Sequence, residues 1–244
     1  MLHTYFKGLY HRTMTEAYSF AYEEIAKNIG ENGLCLDCGA SDGYLYKYFN
    51  EKIHLTKSQY IGIEWNTELV NLAQRDDISV TQGDLNKNLP YENKKFDVIF
   101  GLSVLEHLLY PCRFIKECQR VLNDDGTLIL LTPNISTYFT AILILLGRMP
   151  SSGPHPDSDL LLKNEEVFKV SSDNLQTDAE SDTPSHRHLV VFSYRVLRSY
   201  LKLAGFRDIK GYGFGLYPFP NFMQPLLQKI DPYHCHQMVF VAKK

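Results

Sequence analysis

Short apolar runs and longer amphipathic ones take turns along this chain. Residues 34–38 (LCLDC), 60–64 (YIGIE), 78–81 (ISVT), 96–100 (FDVIF) and 127–132 (TLILLT) are of strand length and bounded by turn-forming residues. Between the last two, Phe114, Ile115, Cys118, Val121 and Leu122 recur at helical spacing and end at the turn-forming run Asn123-Asp124-Asp125-Gly126. Ahead of all of them, Ala17, Phe20, Ala21, Ile25 and Ile29 predict an amphipathic helix over 15–28, closed by Gly30 and Gly33. Strands that alternate with helices form a mostly parallel sheet with helices on both faces, an α/β fold.

The alternation breaks after Thr132-Pro133-Asn134, and the next clear helix is 193–204, ended by Gly205. That gap is too long for a plain connector; its middle, 151–185, is polar and rich in Ser, Asp, Glu and Pro, the composition of a mobile lid or partly ordered insertion. Strand-like runs at 206–213 and 237–242 flank an aromatic, proline-rich stretch at 214–227, and predict an antiparallel hairpin at the sheet edge.

Composition narrows the class. With 244 residues, 44% hydrophobic and 22% charged, the chain fits one globular domain with a full core. Its net charge of −3 exerts no general pull on a phosphate backbone, so no nucleic-acid partner is expected. The opening MLHTYFKGLYHR lacks the apolar core of a signal peptide, and a cytoplasmic setting is expected. The apolar run 141–146 is far short of the roughly 20 residues of a bilayer span; it is expected to bury against the domain, or to touch a membrane surface if the acceptor is lipid-linked. Five cysteines point to reduced thiols rather than a disulfide framework. Cys35 and Cys38, on a strand, would face opposite sides of the sheet, which removes the C-x-x-C as a metal pair.

In an open α/β sheet, ligands bind beyond the carboxyl ends of the strands, and a glycine turn after the first strand lets backbone approach them. Asp37 to Gly43 fits that place: Gly39 permits close approach, Ser41 is small, and Gly43 admits the start of the next helix. The second strand ends at Glu64, a carboxylate able to accept both hydroxyls of a ribose. The same plan could serve a nicotinamide dinucleotide. The dinucleotide G-x-G-x-x-G is not met, however, by Gly39-Ala40-Ser41-Asp42-Gly43, and a cofactor without a pyrophosphate suits the turn better.

Asp37-Cys38-Gly39-Ala40-Ser41-Asp42-Gly43 resembles the D-x-G-x-G-x-G motif of class I S-adenosylmethionine-dependent methyltransferases, with Ser41 in place of the middle glycine. The nearest likeness is to the subgroup of ubiquinone-biosynthesis O-methyltransferases and of type 11 and type 23 methyltransferase domains. It is strong over 34–134 and moderate over 190–209. The resemblance implies a doubly wound, Rossmann-like, seven-stranded sheet with an antiparallel C-terminal edge hairpin. Within one domain it implies an N-terminal helical lid (1–30), a cofactor-binding half (34–133), an insertion (134–190) and a C-terminal helix and hairpin (191–244). It also implies S-adenosylmethionine as cofactor and S-adenosylhomocysteine as product. Asp37, Gly39, Ala40, Ser41 and Gly43 would form the cofactor turn, Glu64 would hold the ribose, and Trp65 would cover adenine or ribose. Asp84, with Leu85, would accept from the adenine amino group. Phe96-Asp97-Val98-Ile99 leads to Leu105-Glu106-His107-Leu108, which would bring the backbone of Gly101 and Leu102 beside the methionine part.

Plainer roles compete. Ser103-x-x-Glu106 is the spacing of a helix capping box, Asp84 could close a turn, and Trp65 could be surface cover. Methyl transfer from a sulfonium is an in-line displacement, so alignment supplies most of the catalysis and a base is optional. For an alcohol or phenol acceptor the candidate bases are His107, His155, His186 and His188. The resemblance favours His188, since His186-Arg187-His188 shortly precedes the helix start Phe192-Ser193; His107 would instead order the helix near the cofactor. His186, His188, His234 and His236 lack an accompanying carboxylate pattern, and no metal is expected. The acceptor site would draw on Tyr5, Phe6 and Tyr10, the insertion after Pro133, and 212–222. That aromatic density suits an apolar or planar acceptor, a sugar ring, or a lipid-linked molecule. The expectation is O-methylation of a small molecule or saccharide. A non-catalytic cofactor-binding regulator or scaffold is the rival, and a nicotinamide-dependent oxidoreductase a distant third.

Overall fold

Residue alternation along the central strands sorts the core into two layers. On β1 (Cys35–Cys38), Cys35 packs with one buried cluster, while Leu36 and Cys38 pack with the other. On β5 (Leu122–Pro133), Ile129 and Leu131 take the first side, Leu128 and Leu130 the second. Near-continuous burial along both strands is what a sheet covered by helices on both faces requires. The computed structural model describes residues 2–150, 152–158, 160–161, 167–168 and 187–244, with the side chains of 2–6 and 167–168 outside that description.

The other strands are β2 (Tyr60–Glu64), β3 (Val80–Gln82), β4 (Phe96–Leu102), β6 (Arg207–Phe214) and β7 (Gln237–Lys243). Their spatial order is β3-β2-β1-β4-β5-β7-β6. The first five are parallel, and β7 runs antiparallel to both β5 and β6, which is the anticipated edge hairpin. Helices α1 (Leu2–Ile29), α2 (Tyr44–Ile53) and α3 (Thr67–Arg75) cover one face. Helices α4 (Pro111–Val121) and α6 (Tyr194–Leu203) cover the other, with α5 (Tyr138–Leu145) and α7 (Gln224–Ile230) beyond the strand ends. The five cysteines are free, and Cys35 and Cys38 lie on opposite faces as their spacing required.

Three expectations change. Helix α1 begins well before residue 15, because Leu9 and Thr13 continue the buried four-residue row of Ala17, Ala21, Ile25 and Ile29. Thr13 hides that row from a hydrophobicity pattern, yet it is 4% exposed and accepts a 2.7 Å hydrogen bond from the Tyr217 hydroxyl. The run Asn123 to Gly126 does not separate α4 from a later strand. β5 already starts at Leu122, and its pairing jumps from Phe96–Leu122 to Val98–Thr127, so the four residues bulge from the ladder. Burial of 141–146 is limited to Leu143: Ile142, Ile144 and Leu145 are 48%, 59% and 86% exposed. An eight-residue helix that is apolar on every side presents only one row to the protein. Among the described residues no helix is long and apolar enough to cross a membrane.

Ala17 and Ala21, both fully buried, let α1 lie close to the sheet. Replacing Ala21 with Leu should therefore overpack this seam and cost about 1–3 kcal/mol, measured as a lowered urea midpoint with an unchanged m-value.

Candidate active site

The strand order reverses at β1, whose two neighbours β2 and β4 lead away in opposite directions, and the carboxyl ends beside such a reversal are where open α/β sheets bind their ligands. Leaving β1, Gly39 takes φ +86° and donates its N–H to the Ile63 carbonyl at 2.8 Å; Ala40 donates to the same oxygen at 3.1 Å. Ser41 is also left-handed, at φ +52°, and donates its N–H to Glu64 Oε2 at 2.9 Å. A Cβ on Gly39 would stand 2.5 Å from Val104 Cγ2, and one on Gly43 would stand 2.9 Å from Ile78 Cδ1. Both glycines are thus required by space as well as by backbone angle. Gly101 is not: a Cβ there would find only ordinary contacts, the nearest Leu130 Cδ2 at 3.6 Å.

Glu64 is anchored at both oxygens, Oε2 by Ser41 and Oε1 by the Asn66 N–H at 2.9 Å. Each carboxylate oxygen has a second lone pair, so the group can still receive two hydroxyls. Trp65, next in the chain, is 73% exposed. Asp84 closes a turn, its Oδ1 accepting from Asn86 N at 2.9 Å and from Asn86 Nδ2 at 3.1 Å, with Lys87 Nζ 3.7 Å from Oδ2. Leu85 and Leu102 are buried. Asp37 faces the α1–α2 side, buried, and accepts a 2.6 Å hydrogen bond from the Tyr60 hydroxyl. Burial pushes its carboxyl up to about 7 against the opposing pull of that bond. Asp97, by contrast, serves the opposite end of the sheet, accepting from Leu34 N and Asn123 Nδ2 beside a cavity lined by Asn28, Gly33 and Lys243.

A second polar group sits at the ends of β4 and β5. The capping box expected of Ser103 and Glu106 does not form: Val104 is the cap of the 3-10 turn Leu105–His107, with no side-chain cap. Ser103, at φ +55°, instead accepts on Oγ a 2.9 Å hydrogen bond from Tyr18 of α1. Glu106 is 2% exposed and accepts on Oε2 from the Thr132 hydroxyl at 2.9 Å. Burial raises its carboxyl to about 7. The backbone carbonyl of Glu106 receives Leu189 N at 2.7 Å, which brings the segment ahead of α6 against it.

This stitching carries His188 to His107, ring centres 5.3 Å apart, and stacks it on His155 at 4.7 Å. Burial first, then the neighbouring His155 and His107, hold the His188 ring down to about 3, and burial holds His236 down to about 4. Both are neutral at physiological pH. His186 lies outside the described residues. His234 pairs with Asp231 at 2.8 Å. Sequence reasoning missed Glu106 as a partner of the histidines, because only the fold brings these segments together. The aromatics Tyr212 and Phe214 pack on Phe20 of α1, with ring centres 4.4 and 5.5 Å away, and Tyr217 packs against His236, so this part of 212–222 closes the core.

A family described as a methyltransferase domain matches residues 10–210 of the chain. A probable S-adenosylmethionine-dependent methyltransferase of Mycobacterium tuberculosis is 31% identical over 105 residues, which are 42% of this chain and 36% of that protein. Ubiquinone biosynthesis O-methyltransferase of Haemophilus ducreyi is 30% identical over 135 residues, 49% of this chain and 55% of the relative. The match thus spans less than two thirds of either relative's length. The solved structure of an S-adenosylmethionine-dependent methyltransferase from Mesorhizobium loti has a TM-score of 0.59 over 93% of this chain and 98% of that one, at 14% identity, a likeness of fold.

Asp37 has a measurable signature. Its folded-state pKa lies above the unfolded value, so the stability it contributes is complete below about pH 4 and is lost as pH rises toward 7. Asp37→Asn removes this titration. Relative to wild type, the variant should gain on the order of 1 kcal/mol or more between pH 4 and pH 8, read by urea denaturation at both pH values. A constant difference across that range would show that Asp37 is ionised in the fold.

Proposed function

The chain belongs to the methyltransferase-domain family, and from that premise we propose that it transfers the methyl group of S-adenosylmethionine to an oxygen of a small-molecule or saccharide acceptor. The observation that carries the proposal is the pair formed by the Gly39 turn and Glu64. A turn that a single Cβ would fill stands beside a carboxylate held by two backbone donors and still able to accept two more hydrogen bonds. That donor set suits a ribose with adjacent hydroxyls, and the absence of the dinucleotide glycines leaves no cradle for a pyrophosphate.

When bound, the cofactor supplies an electrophilic methyl on a sulfonium. The residues of this chain do the rest. Glu64 holds the ribose, Leu85 lends a buried apolar contact, and Asp84 offers a carboxylate to the adenine amino group from a turn already closed by Asn86. The backbone of Gly101 and Leu102, at the end of β4, flanks the methionine part. Trp65 is exposed enough to swing over the sugar or the base. Positioning of this kind is worth about 7–11 kcal/mol in favourable cases.

An oxygen acceptor is supported by the Haemophilus relative, named an O-methyltransferase, and by His188 at the acceptor side of β4. Its neutral ring keeps one unprotonated nitrogen, and its neighbours there are Glu106 and His107. A ring held down to about 3 is a weak base, so its contribution is to receive and orient rather than to keep the proton.

Two measurements test this reading. Glu64→Ala should weaken S-adenosylmethionine binding by about 10- to 100-fold in isothermal titration, the loss of charge-assisted hydrogen bonds; unchanged affinity would displace Glu64 from the cofactor site. His188→Ala should leave cofactor affinity intact while lowering methyl transfer to an acceptor by about 100-fold or more, followed as S-adenosylhomocysteine release. Full turnover in that variant would remove His188 from the acceptor chemistry.

A further inference from the structure

Glu106, His107 and His188 meet in space with one potential ligand atom of each within 4.8 Å of the other two. We propose that these three side chains form a binding site for a divalent transition-metal ion, and that this ion holds the acceptor oxygen beside the methyl group. The second half of the proposal rests on the methyl-transfer reading; the metal site does not.

The ring orientations favour a cation over a proton. His107 sets Nδ1 3.1 Å from the Arg187 carbonyl oxygen, which places the proton on Nδ1 and the lone pair on Nε2. The His188 Nδ1 is buried and has no hydrogen-bond partner among the described residues, so one ring nitrogen is left open to an ion. A ligating histidine is held as His107 is, one nitrogen donating to a backbone carbonyl and the other turned to the ion. His155 fixes the ring plane further, stacking on His188 and accepting the His188 backbone N–H on its own Nδ1 at 3.2 Å.

The third ligand is a carboxylate that lacks charge compensation. Glu106 is 2% exposed, its contacts are the Thr132 hydroxyl and its own backbone, and among the described residues no lysine or arginine pairs with it. A buried carboxylate of this kind is stabilised by a coordinated cation. Two imidazoles and one carboxylate suit zinc and its first-row neighbours, bind at about 2.0–2.2 Å, and leave coordination positions open. His107 and His188 are partly buried, and Glu106 is buried beneath them.

An acceptor hydroxyl in an open position becomes more acidic. Its proton passes to water; the oxygen lone pair then forms the new O–C bond as the C–S bond breaks, and its electron pair stays on sulfur in the thioether product.

The experiment uses the full chain stripped with EDTA and dialysed. Co2+ is followed by its visible absorption and Zn2+ by isothermal titration, for wild type, His188→Ala and Glu106→Gln. Stoichiometric binding by wild type, weakened at least about 10-fold in each variant, with circular dichroism and S-adenosylmethionine affinity unchanged, is the expected result. Absence of stoichiometric binding in wild type, or equal binding by the variants, overturns the site. Cofactor binding without metal binding would remove the metal and leave the methyl-transfer reading; metal binding without cofactor binding would do the reverse.

Discussion

The site depends on one backbone junction. Gly39 and Ala40 both donate to the Ile63 carbonyl, and the next N–H, of Ser41, goes to the Glu64 carboxylate. Three consecutive donors thus bind the turn after β1 to the end of β2, and Glu64 is oriented by the loop it serves. The junction also reaches past the end of β4. Because Gly39 has no side chain, Val104 packs directly over it, and Val104 caps the turn that carries Glu106 and His107. The Gly39–Glu64 junction and the turn of Glu106 and His107 are therefore registered through a single missing Cβ.

A second constraint is the placement of ionisable groups in dry surroundings. Asp37 and Glu106 are pushed up to about 7, whereas His188 and His236 are pushed down to about 3 and 4. Their effects on stability oppose each other. The carboxylates favour low pH, losing their contribution as pH rises from about 4 to 7; the histidines favour higher pH, losing theirs as it falls below about 6.5 toward 3. Each arrangement costs stability at neutral pH or leaves a lone pair unused, and such groups concentrate at functional sites. Asp37 has a structural partner in Tyr60, and His236 packs between Tyr10 and Tyr217. Glu106 likewise has Thr132 and His188 has the His155 ring, but the Nδ1 of His188 is left buried without a hydrogen-bond partner among the described residues.

Strands were legible because burial on both faces leaves unbroken apolar runs, and the tight turn after β1 because its glycines and Glu64 stand at fixed distances along two adjacent strands. Local rules failed where tertiary contacts overrode them. Thr13 interrupts the apolar row of α1 but is satisfied by Tyr217, far along the chain. Ser103-x-x-Glu106 has the spacing of a capping box, yet the left-handed backbone at Ser103 gives its hydroxyl to Tyr18, and the glutamate side chain goes to Thr132. The convergence of His188 on Glu106 left no pattern to read, since the N–H groups of Leu189 and Val190 make it by donating to the Glu106 carbonyl, and no sequence spacing encodes those bonds.

The elements that were hardest to read are also those that would shape the acceptor. Helix α1 runs antiparallel to the central strands: Asn28 meets Thr127 at the amino end of the β5 ladder, and Tyr18 meets Ser103 just past the carboxyl end of β4. Its first turns therefore project beyond the sheet and pack on the segment after β6, through Thr13 with Gly215 and Tyr217. The insertion, through His155, packs on His188. A doubly wound sheet can keep its cofactor turn under strict geometric control while these peripheral pieces vary, because no strand register depends on them. The glycine turn and Glu64 are thus written in the sheet, and the surroundings of His188 in packing between parts of the chain that are remote in sequence.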